Sequence, residues 1–148
     1  MDDIDKKILK RLQENARVTI SVLSSEISLS MPAISERLRK LEAAGVIKQY
    51  TAILDPALVD KQLMAIIFLS IDSPSHGESF TKFVVDEPDI KECFYITGDF
   101  DYSLKIITQN TSSLEALLNR IKEQPGVVKT QTIVVLSSIV DRPSVTVE

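Results

Sequence analysis

Residues 63–136 run through one pattern twice, and this echo constrains the fold more than any other feature of the chain. Strand-like LMAIIFLSI precedes helix-like ESFTKFVVDEP and strand-like DIKECFYIT. Strand-like YSLKIIT then precedes helix-like SSLEALLNRIKEQPG and strand-like VVKTQTIVVL. Each helix reads as opening on a capping box, Ser75 with Glu78 and Ser112 with Glu115. Each ends at a proline, Pro88 or Pro125, with Ile90 or Val127 starting the next strand. In the second helix Leu114, Leu117, Leu118 and Ile121 share a face. The order is β-α-β-β-α-β, a ferredoxin-like α+β arrangement.

In such a fold the helices cover one face of the sheet and the other meets water. Yet MAIIFL and IVVL are apolar at both alternating positions, the pattern of strands buried on both sides. An open apolar face on a small domain predicts a partner, most simply a second copy of the chain.

The first third reads differently. Ile4, Ile8 and Leu12 share a helical face that Asp2 or Asp3 can cap. Ile20, Leu23 and Ile27 recur after the possible cap Thr19. A third helix starts after Ser30 with Pro32 in its first turn, buries Ile34, Leu38 and Leu41, and stops at Gly45. Only Ser28 to Ser30 separate the second helix from the third, so the two cross steeply, as in a helix-turn-helix. VIKQYTAIL, from Val46, alternates like a strand and predicts a winged version.

On the third helix Pro32, Ala33, Glu36, Arg39 and Lys40 lie opposite the apolar stripe, with Arg37 on the flank. Cations there suit phosphates, and the small and polar groups suit base edges. The candidate DNA contacts are Ser30, Met31, Pro32, Ala33, Ser35, Glu36, Arg37, Arg39 and Lys40. The competing reading is a three-helix bundle with a solvated face, to which Glu36 and Glu42 lend weight.

Charge supports a division of labour. The net charge is −4 overall, yet residues 1–55 hold nine Lys and Arg against eight Asp and Glu. The remainder holds eight against thirteen. The expected organisation is a helix-turn-helix domain over 1–53, a linker over 54–62, a ferredoxin-like domain over 63–140 and a tail over 141–148. The acidic start and the absence of a long apolar run predict a cytoplasmic chain with no membrane partner. A single cysteine, Cys93, precludes an internal disulfide, and with His76 far from it no zinc site is expected. Cys93 reads as a packed strand residue, His76 as the exposed start of a helix and Tyr50 as a contact between wing and linker.

The chain resembles the Lrp/AsnC family of leucine-responsive, or feast/famine, transcription regulators along nearly its whole length. The resemblance rests on three stretches. One is DDIDKKILKRLQENAR; the second is LSSEISLSMPAISERLRKLEAAGVIKQYTAIL, with Leu29-Ser30, Arg37, Leu41-Glu42, Gly45-Val46-Ile47 and Tyr50 in register. The last is Gly98-Asp99-Phe100-Asp101-Tyr102. The resemblance implies a regulator without enzymatic activity and without cofactor, built as dimers that assemble into tetramers or octamers on double-stranded DNA. It also implies a free amino acid as effector, held between dimers. Thr97, Gly98, Asp99, Asp101 and Tyr102 would form one wall, with Thr130, Thr132 and Val134 from the neighbouring dimer.

Two readings of the paired aspartates stay open. Gly98 and the acids suit a tight turn. Equally, Asp101 suits the ammonium of an amino acid and the turn N–H groups its carboxylate. Catalysis is disfavoured, since no nucleophile or base adjoins the pair, and two acids alone make a poor metal site. The sensor reading competes with a constitutive DNA-bending architectural protein whose pocket is vestigial, and with a small-molecule enzyme of ferredoxin-like fold.

Overall fold

The computed structural model describes all 148 residues and divides them into two units, Met1–Ile53 with Asp141–Glu148, and Leu54–Val140. In the first unit, α1 (Asp3–Glu14), α2 (Ile20–Ile27) and α3 (Met31–Ala43) enclose Ile8, Leu9, Leu23, Ile34 and Leu41. Asp2 caps α1 in a reciprocal box with Asp5, Thr19 caps α2 and Ser30 caps α3. The tight α2–α3 turn depends on Ser28, whose φ of 62° closes α2 in the left-handed region. Residues 141–148 return to this unit. Gln13 Nε2 donates to the Val145 carbonyl at 2.6 Å and to Ser144 Oγ at 3.2 Å, and Val147 packs on the helical core.

The strand expected from Val46 is not formed. Residues 48–55 form no ladder, because a strand needs a neighbour for its N–H and C=O groups and none lies beside this segment. Tyr50 instead donates its hydroxyl to the Glu42 carboxylate of α3 at 2.9 Å. Burial first, and Glu42 second, push that phenol up to about 12.

In the second unit a short 3-10 turn (Pro56–Val59) precedes β1 (Leu63–Ile71), α4 (Pro74–Asp86), β2 (Ile90–Tyr95), β3 (Tyr102–Thr108), α5 (Thr111–Lys122) and β4 (Val127–Val135). The sheet is antiparallel in the order β2-β3-β1-β4, the β-α-β-β-α-β topology the echo predicts. Ala65, Ile67 and Leu69 of β1 and Leu104 and Ile106 of β3 are fully buried, with Phe80, Leu114, Leu117 and Ile121 of the two helices in the same core. Burying each large side chain contributes about 1.5–3 kcal/mol.

The caps differ from the expectation. Ser73, not Ser75, caps α4, and Asn110 with Ser113, not Ser112 with Glu115, forms the box of α5. Both helices start earlier than the apolar spacing suggests, since Pro74 is itself a favoured first-turn residue. Cys93 is exposed rather than packed. It lies opposite Leu104 on β2, an edge strand with no outer neighbour to cover it.

The face away from the helices carries Met64, Ile66 and Phe68 on β1, Ile107 on β3, Phe94 on β2 and Ile133 on β4. Phe94 is 55% exposed and Ile133 43%. The doubly apolar strands are thus covered on one side only within a single chain.

Candidate functional site

Helix α3 presents Met31, Pro32, Ser35, Glu36, Arg39 and Lys40 to solvent, while Ser30 spends its hydroxyl on the Ala33 N–H and Ala33 is half-buried. Its cations are not free. Arg39 makes a two-pronged pair with Glu36, Nε to Oε2 at 2.9 Å and Nη2 to Oε1 at 2.8 Å, and Lys40 Nζ lies 3.9 Å from Oε1. Arg37 leaves the outer face. Its Nη1 donates to both oxygens of Asp2, at 3.0 and 2.8 Å, and to Asp5 Oδ1 at 2.8 Å. Arg37 therefore clamps the capping box of α1 to the middle of α3. The Asp5 N–H and then the Arg37 guanidinium hold the Asp2 carboxyl below the usual range.

The loop from Ile96 to Asp101 joins β2 to β3, and it is closed by the Ile96 N–H donating to the Asp101 carbonyl at 2.8 Å. Gly98 has φ of 109°, in the region that glycine tolerates. The two aspartates differ in role. Asp101 is built into the frame: its N–H donates to the Leu69 carbonyl at 2.9 Å and its Oδ2 accepts from the Ile71 N–H at 2.8 Å. Asp99 offers only its carbonyl, to Ser70 Oγ at 3.3 Å. Between them Phe100 turns to the open face of the sheet, 5.6 Å from Phe68, with Lys129 Nζ 4.7 Å above its ring.

On the helix side a cavity of ≈ 370 Å³ lies between α4 and this loop. Ile71, Ser73, Pro74, Gly77, Glu78, Thr81, Tyr95, Asp101 and Tyr102 line it. The Tyr102 ring lies between Phe80 (5.1 Å) and Tyr95 (5.3 Å), tilted to both, and burial raises its pKa. A Cβ on Gly77 would stand 3.2 Å from the Tyr102 hydroxyl, so the bare helix makes room for the phenol. His76 lies in the first turn of α4, its Nδ1 2.7 Å from Asp72 Oδ1. Its ring covers Gly126, where an added Cβ would come within 2.5 Å.

The structure therefore joins Asp101 and Tyr102 in one cavity and adds the Ser73–Thr81 wall and Tyr95, which the sequence reading missed. Thr97, Gly98 and Asp99 are in the loop but not in the lining. Thr130, Thr132 and Val134 share the helix-side face of β4, opposite Leu69, Ile67 and Ala65. Strand β1 separates them from Tyr102, so one chain does not bring them into the cavity. Pro74 in the first turn of α4 was the available signal for the missed wall, since it marks a helix start beside the end of β1.

Residues 1–48 match the family model described as winged helix-turn-helix DNA-binding, and residues 64–145 match that of the Lrp/AsnC ligand binding domain. The chain belongs to the Lrp/AsnC family. Among its relatives is the HTH-type transcriptional regulator FL11 of Pyrococcus horikoshii, 36% identical over 138 residues, covering 93% of this chain and 91% of that one. The leucine-responsive regulatory protein of Escherichia coli is 35% identical over 142 residues, 94% of this chain and 87% of the relative. Among solved structures, the L-Met complex of the transcriptional regulator NMB0573 from Neisseria meningitidis matches at 34% identity with a TM-score of 0.93. It covers 99% of this chain and 96% of that one. This Lrp/AsnC chain is thus a helix-turn-helix transcription regulator with a ligand-binding domain, and no helix in it is long and apolar enough to cross a membrane.

Proposed function

We propose that this regulator is a cytoplasmic, non-enzymatic amino-acid sensor that places the outer face of α3 on double-stranded DNA. The observation that carries the sensor reading is the ≈ 370 Å³ cavity with a carboxylate, hydroxyls and two tyrosine rings in its lining. That volume falls in the range of small-molecule sites. The free Oδ1 of Asp101 takes the ammonium of an amino acid, hydroxyls and loop N–H groups take its carboxylate, and the rings receive its side chain. The relative crystallised with L-Met supports this class of ligand. Thr97, Gly98 and Asp99 from the loop, and Thr130, Thr132 and Val134 of a further copy, complete the site.

Assembly follows from the open sheet face. Ile66, Phe68 and Ile133 lie side by side across β1 and β4, and a second copy laid on them gives a dimer with two α3 helices for two DNA half-sites. Dimers then join into tetramers or octamers, and the effector acts by binding one arrangement more tightly than another.

A second reading, a constitutive DNA-bending protein, draws on Asp101, whose bond to the Ile71 N–H already gives it a structural task. Titration calorimetry with each of the twenty amino acids separates the two. Heat with one of them, and a change of oligomer mass or DNA retention in sedimentation with a duplex, establishes the sensor. Silence from all twenty leaves the architectural protein.

A further inference from the structure

The outer face of α3 has an unusual electrostatic property for a DNA-binding helix. Its cations are answered by carboxylates of the same unit. Arg37 is committed to Asp2 and Asp5, which leaves Arg39 and Lys40, and Glu36 engages both. The fork of Arg39 fits a carboxylate and a phosphate in the same two-pronged way. In the free protein Glu36 therefore holds the two-pronged fork that would grip a backbone phosphate. Glu36 is held well in the anionic form by Arg39. It is half-exposed and one residue from Ser35 on the face that meets the groove.

Binding to DNA thus requires an exchange, and the exchange leaves an anion among phosphates. The cost is relieved where the freed carboxylate finds a donor. In the major groove the cytosine amino group is the donor that suits a glutamate. We propose that Glu36 is a specificity-determining residue, which withholds Arg39 and Lys40 from phosphate except where its own carboxylate meets the amino group of a cytosine. This rests on the reading of α3 as the DNA-contacting helix.

The test uses the full chain, Glu36→Gln and, as control, Glu42→Gln. The control removes the same charge from the same helix, but Glu42 is bonded by the Tyr50 hydroxyl and by no cation. Glutamine and glutamate have similar helix propensity, and both sites are exposed, so circular dichroism should be unchanged. Affinity is measured against a random-sequence duplex pool between about 200 and 50 mM salt, and each protein is then used to enrich sequences from that pool. Each added phosphate contact steepens the salt slope by about 0.9, an extra ~3-fold gain over this range, or ~12-fold for two. Glu36→Gln is expected to show a gain of that size over the wild type and to lose a cytosine that the wild type enriches. Glu42→Gln should match the wild type in both. An unchanged slope in Glu36→Gln, an equal gain in Glu42→Gln, or the same enriched sequences for Glu36→Gln and wild type overturns the assignment. If Arg39→Ala with Lys40→Ala binds the pool with the wild-type affinity and salt slope, the reading of α3 as the DNA-contacting helix is itself overturned, separately from the role of Glu36.

Discussion

The two units solve the problem of an exposed working face in opposite ways. The helical unit has five buried apolar side chains and an outer surface laced with ion pairs, Arg11 with Glu26, Arg37 with Asp2 and Asp5, and Arg39 with Glu36. The sheet unit has nine buried apolar side chains and an outer sheet face of Met64, Ile66, Phe68 and Ile107. A charged face is satisfied by water and by its own counter-charges until DNA competes for them. An apolar face has no such interim partner, so it calls for a lasting one. The difference teaches that a charged face is at rest within a single chain, whereas an apolar sheet face left open by its own helices is not.

Core truncations break the comparison most severely. Phe80→Ala should cost about 3–5 kcal/mol and Leu23→Ala about 2–5 kcal/mol. Each should lower the melting transition of its own unit in calorimetry, and a single transition lowered equally by both would abolish the distinction between units. Next comes the sheet face. Ile66→Arg sets a second cation opposite Lys105 and should weaken self-association at least ~100-fold, about 2.7 kcal/mol, with the circular dichroism spectrum retained. A dimer that survives in sedimentation would move the interface elsewhere.

Asp101 sharpens the comparison within the sheet unit. Asp101→Ala leaves the Ile71 N–H without its acceptor and should cost about 1–3 kcal/mol. Asp101→Asn keeps an acceptor and loses the charge. It should keep stability and lose amino-acid heat in calorimetry; retained heat would remove the ammonium from Asp101.

The smallest effect is expected at the clamp of α1. The folded-state pKa of Asp2 lies below its unfolded value of about 3.9. The stability it lends is therefore present above about pH 4 and lost as pH falls through the folded pKa. Asp2→Asn should flatten the acid side of the helical unit's melting profile, and an unaltered profile would show that the clamp is ornamental.

What the sequence revealed divides along the range of the interactions. Helix faces and strand alternation are local periodicities, and they placed the five α-helices and the four strands of the sheet in order, but the same alternation also marked a strand from Val46 that has no neighbour to pair with. Caps were less legible. Ser73 and Ser75, or Asn110, Ser112 and Ser113, are all good capping residues, and the choice among them is made by where β1 and β3 end. The contacts of Arg37 were illegible, because Asp2 and Asp5 are 35 and 32 residues away and a helical wheel sees one helix. The same holds for the α4 wall of the cavity, which the fold brings to Asp101 from 20 to 30 residues upstream.

The return of residues 141–148 to the helical unit bears on how the protein is made. Val147 packs on a core whose other members precede Leu54. On the ribosome the 87 residues from Leu54 to Val140 take about 4 to 17 s to emerge at roughly 5–20 residues per second. For that interval the DNA-binding unit waits with one packing partner missing. A chain that stops anywhere within the sheet unit has a helical core without Val147, and that core is then open to water on the side the last residues would cover.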